Sequence, residues 1–124
     1  MTRTAVIALG GLVGCVARYW LAGVVQRAGA TTFPVGTMAV NVLGSFVIGV
    51  VMALALERGM LSESSRLLLT TGFCGGFTTM STFSYETLAL LEGGQVAFAM
   101  ANAAASVVAC VGAVWVGQLV GRAV

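Results

Sequence analysis

The chain has 124 residues, of which 59% are hydrophobic and only 8% are charged, and its formal net charge is +2. A soluble globular domain carries about 25% charged residues, so this composition leaves too little polar surface for a water-soluble fold. The few arginines are scattered rather than gathered into a basic patch, which excludes a nucleic-acid partner. We therefore expect one domain, residues 1–124, that is built to lie in a lipid bilayer.

Four apolar stretches follow one another along the chain, and each is long enough to cross a bilayer, which takes about 20 residues. They are residues 4–25, 36–56, 66–91 and 95–120. The connections are short, and the last, residues 92–94, predicts a tight hairpin between the third and fourth stretches. The sequence thus predicts an all-α membrane protein with four transmembrane helices and both termini on one side.

Arginine positions give only a weak indication of orientation. The terminal side would hold Arg3, Arg58, Arg66 and Arg122, and the other side Arg27 and Arg18. Positive charge marks cytoplasmic loops, but this bias is too small to fix one orientation, and insertion in both stays open. Arg18 lies inside the first stretch, where it could snorkel, pair with Glu86 or line a wet vestibule.

Two stretches carry a polar stripe along one helical face. Thr37, Asn41 and Ser45 recur every four residues in the second stretch, as do Asn102, Ser106 and Cys110 in the fourth. Such side chains either hydrogen-bond neighbouring helices or line a functional path. The three cysteines, Cys15, Cys74 and Cys110, all lie in apolar stretches, so we expect free thiols rather than disulfides.

The third stretch departs furthest from an apolar helix. Residues 72–86 read Gly-Phe-Cys-Gly-Gly-Phe-Thr-Thr-Met-Ser-Thr-Phe-Ser-Tyr-Glu. Glycines weaken the helix, and hydroxyl side chains follow at once, which predicts a broken helix near the middle of the span. Unwound backbone at membrane depth must be buried in protein or line a wet cavity. The alternative is a kinked helix whose own Ser and Thr side chains satisfy the backbone.

The sequence resembles the Fluc/CrcB family of fluoride channels over essentially its whole length. The resemblance is carried by Gly-Gly-Leu-Val-Gly-Cys-Val-Ala-Arg-Tyr at 10–19, Asn-Val-Leu-Gly-Ser-Phe at 41–46 and, above all, by residues 72–83. It implies a passive, fluoride-specific ion channel of the bacterial inner membrane that relieves fluoride toxicity. It also implies a dual-topology antiparallel homodimer with two pores and a structural sodium ion (Na⁺) between the subunits.

The resemblance also implies roles for individual residues. The backbone carbonyls of Gly75 and Thr78 match the ligands of the sodium ion, and Arg18 matches an arginine of the vestibule. The anion pore is implied to include Asn41, Met80, Ser81, Thr82, Phe83 and Cys110. Two of these positions depart from what the family suggests: Met80 stands where a phenylalanine is usual, and Cys110 where a hydroxyl would suit a polar track better. We expect the fold and dimer to tolerate Met80 and the fluoride flux to be altered, with reduction the expected direction.

Other functions fit the residues less well. With no His and no Asp, and Glu86 as the only candidate base inside a span, the sequence offers no catalytic array, so we expect no enzyme. A small multidrug transporter would need a carboxylate deep in the first helix, which has none. A purely structural subunit would leave Asn41 and the hydroxyl run of the third stretch without a purpose.

Overall fold

The computed structural model describes residues 2–124, and every regular element in that range is helical. The elements, in chain order, are α1 (Arg3–Gly29), α2 (Val35–Met52, extended by the π-helical Ala53–Glu57), α3 (Glu63–Leu67, π-helical Leu68–Cys74 and Gly75–Phe77), α4 (Met80–Glu92) and α5 (Val96–Ala123). The prediction of an all-α protein is confirmed.

Three of these helices are long and apolar enough to cross a membrane alone: α1, α2 with its π-helical extension, and α5. Helix α4 has 13 residues and spans only about 20 Å at 1.5 Å per residue, less than the roughly 30 Å of a bilayer core. Helices α3 and α4 together cover the third predicted stretch and are interrupted at Thr78 and Thr79. This arrangement is consistent with four spans of which the third is broken.

Local sequence explains where the helices begin and end. The Thr2 hydroxyl accepts from the Ala5 N–H at 3.3 Å and caps α1, and the Ser62 hydroxyl accepts from the Ser65 N–H at 3.1 Å and caps α3. Pro34 precedes α2 directly, where its missing N–H costs nothing. Gly94, with φ 76°, adopts the left-handed backbone that the turn between α4 and α5 requires.

Two small-residue motifs bring helix backbones into contact. A side chain at Gly14 of α1 would collide with the Phe73 carbonyl of α3, and one at Gly117 of α5 would collide with the Phe46 carbonyl of α2. Meanwhile many large apolar side chains face outward, with Leu12, Val108 and Trp115 all more than 60% exposed. Small residues inside and large apolar residues outside are the distribution expected of helices packed in lipid.

Polar contacts fix which connections share an end of the bundle. At one end Arg3 pairs with Glu63 at 2.8 Å, and Arg122 pairs with Glu57 through two hydrogen bonds of 2.7 and 2.8 Å. At the other end the Thr32 hydroxyl donates to the Gln95 side chain at 2.9 Å. Both termini therefore lie at one end with the connection between α2 and α3, as four spans require.

Candidate functional site

The break in the third span lies at Thr78 and Thr79, both of which are extended. Thr78 has φ −90° and ψ 159°, and Thr79 has φ −153° and ψ 116°. The Thr78 N–H and hydroxyl both donate to the Cys74 carbonyl at 2.9 Å, which closes the end of α3. Extended residues cannot continue the helical hydrogen-bond ladder, so the backbone groups beside them need other partners.

Asn41 of α2 supplies two of those partners. Its Nδ2 donates to the Thr79 carbonyl at 3.1 Å, and its Oδ1 accepts from the Thr79 N–H at 2.7 Å. The amide thus pairs with both backbone groups of one residue, as a neighbouring strand would. One proton of Nδ2 is left over, because a side-chain amide carries two.

Arg18 of α1 supplies a hydrogen-bond partner for a further backbone group near the break. Its Nε donates to the Gly76 carbonyl in the last turn of α3 at 2.9 Å. No ion pair joins Arg18 to Glu86 within residues 2–124. The Arg18 side chain, half-buried, therefore braces the broken helix through its backbone.

Thr79 begins the second half of the span. Its hydroxyl oxygen accepts from the Thr82 N–H at 3.2 Å, which makes it the N-cap of α4. The same oxygen lies 3.1 Å from the Thr82 hydroxyl and 3.2 Å from the Ser81 hydroxyl. Sequence reasoning gave Thr79 no role of its own, although a threonine three residues before another polar residue at a helix start is a capping signal.

The two carbonyls predicted to bind sodium are open at the break. Among the described residues, the carbonyls of Gly75 and Thr78 accept no backbone or side-chain hydrogen bond across the break. Uncharged carbonyl oxygens are the ligands that hard cations prefer, so the donor type fits Na⁺. The Gly75 and Thr78 residues of one chain offer two such oxygens, and a fuller coordination shell would need further ligands. No cluster of three or more His, Cys, Asp or Glu suited to a metal occurs in residues 2–124.

A cavity of about 780 Å³ opens beside the break. Six of the nine residues singled out from the sequence line it: Asn41, Gly75, Thr78, Met80, Phe83 and Cys110. Arg18, Ser81 and Thr82 are not among its lining residues. Met80 is 70% exposed, whereas Phe83 is half-buried. The structure therefore places Met80 and Cys110 on the wall of one cavity.

The polar stripe of α5 divides between two roles. Asn102 donates to the Thr87 hydroxyl of α4 at 2.9 Å, and Ser106 donates to Asn102 at 3.3 Å within α5 itself. The first bond favours helix–helix hydrogen bonding for Asn102. Ser106 and Cys110, the other members of the stripe, line the cavity.

Glu86 is held by Thr37 of α2, whose hydroxyl donates to Oε1 at 2.9 Å. The other carboxylate oxygen, Oε2, is buried without a hydrogen-bond partner in the part of the chain that the structure describes. Glu86 lines a second cavity of about 280 Å³ together with Gln26, Tyr85 and Gln95. The carboxylate thus lies between α2 and α4 and borders an opening at the end of the bundle opposite the termini.

These features define a class: a small multi-pass helical membrane protein with a broken third span and a polar break beside an open cavity. The model of one protein family, described as CrcB-like protein, Camphor Resistance (CrcB), matches residues 5–118. The chain belongs to this family.

Curated relatives match along nearly the whole chain. A fluoride-specific ion channel of Geobacter sulfurreducens is 52% identical over 122 residues, which cover 98% of both chains. Proteins with the same name from Geobacter sp. (strain M21) and Citrifermentans bemidjiense are 46% and 45% identical over 123 residues, 99% of each chain. The family is one of ion channels, which confirms that the protein is not an enzyme and sets the multidrug interpretation aside.

Proposed function

We propose that this protein is a fluoride-specific ion channel that conducts F⁻ passively. The observation that carries the proposal is the 52% identity, over 98% of both chains, to a relative named as such a channel. The cavity beside the break adds a physical reason, because it brings an amide, an aromatic ring and a helix start together at membrane depth.

Fluoride is small and strongly hydrated, so a pore must replace the water that it loses. Asn41 can offer its second Nδ2 proton to an anion while it holds Thr79. The start of α4 lies beside it, and the free N–H groups and the positive end of the helix dipole favour negative charge there. The edge of the Phe83 ring is electropositive and adds a further weak attraction.

The proposed working unit is an antiparallel, dual-topology homodimer with two pores. The Gly75 and Thr78 carbonyls of each subunit would together hold a sodium ion at the interface, where a fixed positive charge offsets the cost of an anion in a medium of low dielectric constant. Replacement of Na⁺ by a large organic cation should then lower the flux. A mass in detergent of one chain rather than two would contradict the dimer.

Arg18, Ser81 and Thr82 lie outside the cavity of the single chain. We keep Arg18 as a vestibule residue and Ser81 and Thr82 as pore hydroxyls of the assembled dimer, since a second copy would add walls that one chain lacks. Met80 fills a volume similar to that of phenylalanine but has no aromatic edge. The proposed consequence is an intact fold with altered fluoride flux, and the expected direction is a reduction.

The proposed setting is the bacterial cytoplasmic (inner) membrane, and the proposed role is fluoride resistance. Hydrogen fluoride crosses membranes as a neutral acid and dissociates inside, so a passive F⁻ pore lets the trapped anion leave down its electrochemical gradient. The test is growth in fluoride of a bacterium that lacks its own fluoride exporter. Expression of this protein should restore growth, whereas an Asn41→Asp variant expressed to the same level should not. No rescue by the wild type or by Met80→Phe would contradict the proposal.

A further inference from the structure

Four sulfur-containing side chains line the cavity beside the helix break: Met52, Cys74, Met80 and Cys110. All three cysteines of the chain are free thiols. Thiols and thioethers are soft ligands that select soft metal ions such as Cu⁺ over the hard cations that carbonyl oxygens prefer. Fluoride, the hardest of the halides, gains nothing from soft sulfur ligands, so the proposed anion path gives these side chains no role.

Helices α4 and α5 place Met80 and Cys110 at the same height in the bundle. The two helices are joined by the hydrogen bond that Asn102 donates to Thr87 at 2.9 Å. From that point the chain rises about 12 Å along α5 to Cys110, and about 10 Å in the same direction along α4 to Met80, at 1.5 Å per residue. Met80 and Cys110 therefore lie level with each other.

Both side chains also face the same space. Met80 and Phe83 are three residues apart on one face of α4, and Ser106 and Cys110 are four apart on one face of α5. All four line the cavity. Met80 is 70% exposed and has a flexible thioether, so its sulfur can move toward the thiol.

We propose that Met80 and Cys110 form a binding site for a soft monovalent metal ion of the class of Ag⁺ and Cu⁺. On binding, the Cys110 thiol releases its proton to solvent and the thiolate bonds to the metal, while the Met80 thioether donates a lone pair. The product carries no net charge, because the thiolate cancels the charge of the ion. It therefore avoids the large cost of a charge at membrane depth.

The site goes beyond the proposed function and does not depend on it. A metal held there lies in the same cavity as Asn41 and Phe83, so it occupies the space through which an anion would pass. Cys15 provides an internal comparison: it is an exposed thiol on α1, and its sulfur accepts from Nη2 of Arg18 at 3.9 Å. Silver at Cys15 would therefore gain nothing from Met80.

The test measures where silver goes when the thiols of one chain compete for it. Purified protein in chloride-free detergent receives an equimolar amount of silver nitrate, and the labelling of each cysteine by methyl methanethiosulfonate is followed by mass spectrometry. In the wild type, silver should slow the labelling of Cys110 more than that of Cys15. Met80→Leu should lower this preference by at least about tenfold, since a second binding group held close to the first can raise affinity by about 10²–10⁴.

The matched control is Met100→Leu, since Met100 is an exposed methionine of α5 that does not line the cavity; it should behave as the wild type does. If silver prefers Cys110 over Cys15 equally in the wild type and in Met80→Leu, the proposed site is overturned. It is also overturned by a Cys110 thiol that the reagent does not label even without silver, because such a thiol is closed to the cavity. The labelling is read without fluoride, so its outcome stands apart from any measurement of channel activity.

Discussion

The side-chain amide of Asn41 pairs with both backbone groups of Thr79, through hydrogen bonds of 2.7 and 3.1 Å. The two residues are 38 positions apart, and the pair fixes α2 to the extended residues that divide the third span. One amide thus serves the fold, by satisfying freed backbone, and keeps a donor for the cavity that it lines.

This pair predicts that Asn41→Leu destabilises the protein. The leucine has a similar size but leaves the Thr79 N–H and carbonyl without partners, at a cost of about 1–3 kcal/mol for each buried group. Thermal unfolding in detergent should therefore begin at a lower temperature than in the wild type. Asn41→Asp, which keeps the acceptor for the Thr79 N–H, should lose less stability. An unchanged melting curve for Asn41→Leu would show that the pair contributes nothing to the fold.

Met80→Phe should raise fluoride efflux from liposomes. The new ring would add an electropositive edge on the same face of α4 as Phe83, and aromatic-edge contacts of about 0.5–1.5 kcal/mol correspond to a factor of about two to ten in rate. Met80→Leu, which changes shape without adding a ring, serves as the control and should give no increase. Equal rates for the wild type and Met80→Phe would refute a role for the ring at this position.

Arg18→Met should destabilise the junction of α1 and α3. It removes the 2.9 Å bond to the Gly76 carbonyl, and hydrogen bonds to charged groups contribute about 1.5–3 kcal/mol. Arg18→Lys keeps the charge and a donor and should recover part of the loss in thermal unfolding. If Arg18→Met instead melts normally but conducts less fluoride, the side chain acts on the ion in the vestibule and not on the broken helix.

Gly14→Ala should lower the stability of the protein. The new Cβ would overlap the Phe73 carbonyl, which belongs to the backbone and cannot turn away, and such overpacking costs about 1–3 kcal/mol. Gly112→Ala in α5 is the matched control, because nothing lies within 4 Å of the added carbon. That variant should melt no lower than the wild type. Similar losses in both would indicate that close approach of α1 to α3 does not matter.

Much of the architecture could be predicted because lipid imposes a simple pattern. Apolar length alone indicated the four stretches, and the glycines and hydroxyl residues of 72–86 indicated the break. The π-helical Leu68–Cys74 could not be foreseen, since its wider turn depends on how α3 packs against α1 and has no compositional signal.

The site was predicted in part. Residue type and spacing singled out Asn41, but they could not show that its partner is the backbone of Thr79, because that contact depends on how two distant segments pack. The same holds for Arg18: its sequence position left snorkelling, pairing with Glu86 and a vestibule position open, and only the packing shows its bond to the Gly76 carbonyl. The stripe of Asn102, Ser106 and Cys110 looked like that of Asn41. Only the structure separates Asn102, which bonds another helix, from Ser106 and Cys110, which line the cavity.

The central claim is that this protein passes fluoride and discriminates against other anions. The direct measurement is efflux from liposomes that contain the purified protein, followed with a fluoride electrode and, in parallel vesicles, with a chloride electrode. We predict fluoride efflux above that of protein-free vesicles, with chloride efflux equal to the protein-free rate. No fluoride efflux from either the wild type or Met80→Phe, or equal passage of both anions, would contradict it.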